Sequence, residues 1–446
     1  MAEPTEKNLL ERFLSLFTRV QPGEGIAALL LAANVFLLLA CYYILKTVRE
    51  PLILASGSAE LKAYAAAAQA ALLFFVIPVY GWIASRMDRM RFIAVSTLFF
   101  VAMLLGFYLL VQANAGVGFS FYIWLGIFNV FVVAQFWSFA NDLYSEEAGK
   151  RLFPIIGVGA SLGAWAGSVF AEQVFDELQV EGMMPLAAAG LLVYLVLTWF
   201  VNRRFGAQAR LQGKEDESKA PLGKEGGFEL VWKNRYLRLI AMLVLLLNVV
   251  NTTGGYILDR MLLASLDTLA AAAGANVGHD VIIGKFYGSF FGWVNLLSLL
   301  LQLFLVPYIF RWIGVRGALF ILPCIALGGY SALIAFPFLA VVQIAKILEN
   351  ATDYSIQNTT RNALYLLTSR EAKYKAKAAI ETFFWRTGDM LQAGVVKLGT
   401  TIGLSIQGFA GMNLGFTVVW LGLVWLLFRE HKRLSAEAER DGTAAG

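Results

Sequence analysis

The stretch ACYYILKTVREPLIL, residues 40–54, closes the first long apolar run and carries Lys46, Arg49 and Glu50. A compact ammonium and a forked guanidinium are the side chains that recognise phosphates and carboxylates. Tyr42, Lys46, Arg49 and Glu50 fall on one helical face. Far along the chain, Lys346, Glu349 and Asp353 stand at i, i+3 and i+7, with Arg361 two turns beyond. Another apolar stretch holds Glu381, Arg386, Asp389 and Lys397, and a third holds Asn248, Asn251, Asp259 and Arg260. Together these residues can bind an anion, pair with one another, or take up a proton on a carboxylate. Lys346 with Glu349, and Arg386 with Asp389, have the spacing of internal ion pairs. For Lys46, Arg49 and Arg361 a role at the substrate is the stronger reading.

Charges inside apolar segments matter because of what surrounds them. The chain has 446 residues, of which 59% are hydrophobic and 15% charged, and its mean hydropathy is +0.66. Soluble domains carry roughly 25% charged residues, so the composition is that of a polytopic membrane protein. Ionisable groups in such segments are costly and usually face a cavity or a partner. Two cysteines, Cys41 and Cys324, lie in apolar runs, and two histidines, His279 and His431, lie near a loop and in the tail. No metal constellation, cofactor motif, phosphate-binding loop or nucleophile elbow is present, so neither a catalytic residue nor an enzyme is expected.

Apolar runs of spanning length predict twelve transmembrane helices: 26–48, 62–84, 92–113, 118–140, 152–175, 184–202, 236–261, 281–309, 317–336, 338–362, 376–400 and 408–428. Pro51 is expected to break or kink the first. A charged, Gly-rich stretch at 203–235 divides the spans six and six. Residues 1–25 include an amphipathic segment expected to lie on the membrane surface, and 429–446 form a tail. Of the 36 Lys and Arg, 27 fall on one side of this arrangement. The positive-inside rule then makes that side, with both termini, cytoplasmic. The net charge of +5 therefore lies at the inner leaflet and does not signal a nucleic-acid partner.

The two halves echo each other. GWIASRMDRMR follows the second predicted span and PYIFRWIGVRG the eighth, while SEEAGKR follows the fourth and SREAKYK the tenth. Each pair is separated by about 225 residues, the pattern of a duplicated six-helix unit as in major facilitator transporters. The fifth and eighth spans carry Gly159, Gly163 and Gly167, and Gly284, Gly288 and Gly292. Such stripes permit close helix approach, either as static packing or, by likeness to the superfamily, as a sliding surface between the halves.

Three stretches resemble one family. YYILKTVREPL, FANDLYSEEAGKRLFPIIGVGA and EAKYKAKAAIETFFWRTGDM are similar, with spacing kept, to segments of the ATP/ADP translocases of plastids and obligate intracellular bacteria. The resemblance implies an all-α major facilitator fold and a nucleotide exchanger. It carries the family's cation positions over to Arg49 and Arg361. It also shows departures. The span-seven Asn-x-x-Glu pattern is NVVN here, placing Asn251 at the acidic position. The Asp-x-x-Lys-Glu pattern of span ten becomes NTTRN, giving Asn358, Arg361 and Asn362. The cations survive and the acidic members do not.

The expected function is therefore alternating-access exchange of nucleotides or related phosphorylated or anionic metabolites. Lys46, Arg49, Lys346 and Arg361 would meet the anion, and Asn251 and Asn358 would add neutral hydrogen bonds. Glu50, Glu349, Asp353, Glu381, Arg386 and Asp389 are candidates for coupling or ion pairing. The alternative is a proton-coupled transporter of another solute or a lipid, with Glu349, Asp353 or Glu381 as the proton site. The expected surroundings are a bacterial inner membrane, a lipid bilayer and a small anionic substrate. The transporter would work as a monomer.

Overall fold

The computed structural model describes residues 9–15, 18–55, 58–144, 146–211, 226–273, 277–369 and 372–444. Its regular structure is helical throughout these residues. A short α1 (Leu9–Leu14) precedes α2 (Gly25–Leu54), α3 (Ala59–Ala84), α4 (Arg89–Gln112), α5 (Gly118–Leu143) and α6 (Glu146–Leu211). After a brief α7 (Gly227–Lys233) come α8 (Arg235–Ala273) and α9 (His279–Leu300). A π-helical turn at Leu301–Leu305 leads to α10 (Val306–Trp312), α11 (Gly314–Ala318), α12 (Ile321–Ala335) and α13 (Leu339–Thr352). A second π turn, Asp353–Gln357, joins α13 to α14 (Asn358–Leu364). Two more, Ala372–Ala376 and Ile380–Phe384, flank α15 (Lys377–Ala379) before α16 (Trp385–Thr401) and α17 (Ile406–Ala444).

The predicted apolar stretches are largely helical, although the one at 317–336 is broken by a turn at 319–320. By length and composition alone, nine helices among the described residues can cross a membrane. One of the nine, Arg151–Phe205, contains two predicted spans: the expected loop at 176–183 has shrunk to a break at Gln179, whose φ of 50° and ψ of −165° interrupt α6. The predicted spans 338–362 and 376–400 do not qualify. They carry the charges discussed above and are interrupted by π turns. In α2 the helix runs on through Pro51 to Leu54. The ring removes one backbone donor, and the last turn closes by a bond from Ala55 N to Pro51 O.

Two compact units divide the chain. The first holds Met1–Ser56, Leu73–Ser218 and Gly274–Leu296; the second holds Gly57–Leu72, Lys219–Ala273 and Leu297–Gly446. The sequence halves thus exchange one piece each, the start of α3 and most of α9. In the first unit α2 lies along α6, and an aromatic core of Phe100, Phe107, Phe121, Trp124, Phe128 and Phe136 fills the space between α4 and α5. The N-terminal segment is tied down rather than merely laid on a surface. Leu14 and Val20 pack with Ala28 and Leu152, and Arg151 grips Glu24 through both guanidinium nitrogens at 2.8 and 2.9 Å.

The span-eight glycine stripe packs on span five, whereas the span-five stripe packs on α2. A Cβ at Gly159, Gly163 or Gly167 would lie 2.5, 2.2 or 2.4 Å from the carbonyl oxygens of Ala32, Phe36 and Ala40 on α2. Gly284 and Gly288 instead approach the Phe175 ring and the Glu172 backbone on α6. Each stripe is a backbone-to-backbone or backbone-to-ring seam inside the first unit. A Gly163→Leu substitution must push α2 off α6, and the expected result is loss of folded, extractable protein. Size-exclusion profiles and thermal unfolding in detergent would check this; wild-type stability in the leucine variant would show the seam to be loose.

Candidate substrate-binding site

In the first unit the candidate cations occupy the last two turns of α2. Glu50 is fully buried, and Arg49 forms an ion pair with it. Arg49 also lies over the Tyr122 ring of α5, with Cζ 4.4 Å from the centroid. One turn earlier, Lys46 sits over aromatic faces, its Nζ 4.2 Å from the Phe291 centroid and 4.9 Å from that of Tyr43. Glu50 therefore serves Arg49 as a counter-charge, in keeping with its place among the ion-pair candidates.

The second unit carries a buried polar network between α8, α12 and α13. Lys346 is 2% exposed. Its Nζ donates to Asn251 O at 2.9 Å and Asn251 Oδ1 at 2.5 Å, and pairs with Glu349 Oε2 at 3.0 Å. An ammonium has three donors, so all three are used. Glu349 Oε2 also accepts from the Tyr330 hydroxyl at 2.9 Å. The close approach depends on Gly254, where a Cβ would lie 2.1 Å from Tyr330 Oη and 3.1 Å from Lys346 Nζ. Lys346 and Asn251, both expected at the substrate, are thus committed to each other. The predicted Lys346–Glu349 pair is present.

Beyond this network the helix widens into the π turn that carries Asp353 and Gln357. Such turns are frequent at functional sites. Asp353 is 2% exposed, with no hydrogen-bond partner for Oδ1; Gln357 is fully buried, with none for either amide atom. One turn on, α14 presents Asn358, which is exposed, and Arg361, which is half-buried. Arg361 Cζ lies 5.0 Å from the Trp385 centroid, and its Nε is buried without a partner. Asn362 instead accepts from Lys377 at 2.7 Å. In α16 the predicted Arg386–Asp389 pair forms at 3.4 Å, and Asn248 donates to Asp389 at 2.8 Å. Glu381 is exposed.

Several functional-looking contacts were not anticipated. Tyr330 has no charge to draw attention to it, and its partner Glu349 lies on the next helix. Lys62 pairs with Asp259 at 2.8 Å, and Tyr256 donates to Glu60 at 2.6 Å, both within the second unit. Arg89 pairs with Asp142, which joins the basic loop after α3 to the FANDLYS segment at the end of α5. Asp142 and Arg89 each stand in a stretch singled out by sequence, but nothing in either stretch names the other.

These elements define an integral membrane protein with a major facilitator fold. The solved nucleoside transporter NupG superposes with a TM-score of 0.67 at 12% identity, covering 90% of this chain and 98% of that one. A bacterial homologue of the human lysosomal transporter Spinster, in an inward-facing conformation, gives 0.59 at 13%, covering 93% and 99%. Within that fold part of the chain is similar in sequence to ATP/ADP carriers. Residues 118–253 match the family model of the TLC ATP/ADP transporter. The ADP,ATP carrier protein 1 of Chlamydia trachomatis is 25% identical over 359 residues, covering 70% of this chain and 65% of the carrier. That of Rickettsia conorii is 23% identical, covering 72% and 70%. The chain spans 63% and 65% of the lengths of the chlamydial carriers it matches.

Proposed function

We propose that this protein is a secondary transporter that exchanges nucleotides or related phosphorylated anions by alternating access. Twelve helices would cross a bacterial inner membrane with both termini in the cytoplasm, as the Lys and Arg distribution favours. The transporter would act as a monomer, without cofactor or catalytic residue. Arg49, Lys46 and Arg361 would contact the anion, with Asn358 beside Arg361 supplying a neutral hydrogen bond. Lys346 and Asn251 would reach the substrate only by giving up bonds to each other.

The observation that carries this reading is Arg361. It is a half-buried guanidinium whose Nε has no protein partner, at the position where the related carriers' pattern has a cation. Guanidinium groups bind phosphate through paired donors. A ligand that binds the native state raises thermal stability in proportion to RT ln(1 + [L]/Kd). A thermal-shift series on the purified protein tests the substrate class, with ATP, ADP, sugar phosphates and phospholipids as ligands. Stabilisation by the nucleotides is expected. Stabilisation by lipid alone would overturn the reading.

One observation favours proton coupling as a second reading. Asp353 is a buried carboxylate with an oxygen that no protein donor satisfies, a costly arrangement for a permanent charge. The charged groups that act on it are Lys346 and Glu349 on α13 and Arg361 on α14; the π turn at Leu301–Leu305 contributes no titratable group. Uptake driven by an imposed pH gradient without internal counter-substrate would favour this reading over exchange.

A further inference from the structure

Glu349, Asp353, Gln357, Arg361 and Tyr365 stand four residues apart, and each has a buried side-chain atom without a hydrogen-bond partner. The atoms are Oε1, Oδ1, both amide atoms of Gln357, Nε and Oη. Of sixteen such atoms among the described residues, six lie on this one stripe. Buried polar groups are nearly always bonded, and an orphaned one carries its full desolvation cost. The stripe starts where the helix is anchored, since Asn251 holds Lys346 and Tyr330 holds Glu349. Past that anchor the backbone is irregular twice. The π turn at Asp353–Gln357 is wider than an α-helical turn by one residue, and a 3-10 turn at Tyr365–Leu367 winds more tightly. The seven residues of α14 lie between them.

The exposed positions fall one residue later than the stripe: Tyr354, Asn358, Asn362 and Leu366. Neighbours on an α-helix lie about 100° apart. If the π turn straightens and passes its extra residue on to the 3-10 turn, α14 advances by one position. Gln357, Arg361 and Tyr365 then take the exposed places now held by Asn358, Asn362 and Leu366. We propose that 353–367 is a one-residue register switch of this kind. The shift breaks the bonds from Thr359 to Gln302, at 3.2 Å, and from Lys377 to Asn362, at 2.7 Å. Both lie at exposed sites, where water can replace the lost partner. In exchange, the orphaned amide, guanidinium and phenol gain polar surroundings. The second register also sets the Gln357 amide beside a fully presented Arg361, which adds a donor and an acceptor to the guanidinium. That consequence for binding rests on the reading of Arg361 as an anion contact; the register shift itself does not.

Thiol labelling tests the switch on the full-length protein, in a background carrying Cys41→Ala and Cys324→Ala, with N-ethylmaleimide as the reagent. Gln357→Cys and Tyr365→Cys report the shift. Ile356→Cys and Leu364→Cys report general loosening, because these buried neighbours move only into the buried places of Gln357 and Tyr365. Each reporter is expected to label at least about tenfold faster than its control. Two pairs are used so that one misfolded variant does not decide the result. Equal rates within both pairs, or no labelling of either reporter, would overturn the switch. ATP is expected to speed labelling of Tyr365→Cys about threefold or more, by favouring the register that presents Arg361. If the reporters lead their controls but ATP changes neither rate, the switch stands and the assignment of nucleotide to Arg361 fails.

Discussion

Replacing Lys346 by alanine is expected to destabilise the protein by about 3–5 kcal/mol, the usual consequence of removing one partner of a buried ion pair. The geometry sets this size. Glu349 is 3% exposed, one of its oxygens already lacks a partner, and the other would keep only Tyr330. Asn251 would lose the ammonium that its backbone carbonyl and side-chain oxygen now share. The cost comes from the charge left behind, so removing both charges should recover much of it. The double variant Lys346→Met with Glu349→Leu is expected to unfold closer to the wild-type temperature than Lys346→Ala does. Thermal unfolding of the two variants in one detergent measures this. If Lys346→Ala keeps its stability but loses affinity for nucleotide, Lys346 contacts substrate and does not brace the second unit.

Arg361→Ala should do the reverse, leaving stability nearly intact and removing anion binding. Its guanidinium is half-buried and lies on Trp385, so truncation costs some packing but strands no carboxylate in an ion pair. A hydrogen bond between charged groups contributes about 1.5–3 kcal/mol, so loss of a direct phosphate contact should weaken nucleotide binding by roughly 10- to 150-fold. Arg49→Ala should weaken binding too, but it releases Glu50, which is fully buried, and therefore also costs stability. Nucleotide-dependent thermal shifts separate the two effects. A full shift retained in Arg361→Ala would remove that residue from the site.

The helical rods were legible because long apolar runs leave the backbone no alternative in a membrane. The Lys346–Glu349 and Arg386–Asp389 pairs were legible because i, i+3 spacing is a local property of a helix. What sequence did not disclose is long-range or irregular. Tyr330 reaches Glu349 from a neighbouring helix, and Gly254 makes room for both Tyr330 and Lys346. The π turn at Asp353–Gln357 has no composition signature, yet it sets where Asp353, Gln357 and Arg361 stand. The glycine stripes were visible, and span five does meet the span-eight stripe, but the α2 partner of the span-five stripe was not legible. Close approach was the correct physics, and the facing surfaces proved to be α2 for one stripe and α6 for the other. Lys46, Arg49 and Arg361 stood out as cations, while the rings beneath them could be found only once the helices were assembled.

The central claim, exchange of anionic nucleotides, is tested most directly by flux into liposomes containing the purified protein. Labelled ATP outside should enter rapidly when the lumen holds unlabelled ADP or ATP, and only slowly when it holds buffer alone, with no dependence on an imposed pH gradient. Accumulation into buffer-filled liposomes driven by a pH gradient, with no stimulation by internal nucleotide, would contradict it.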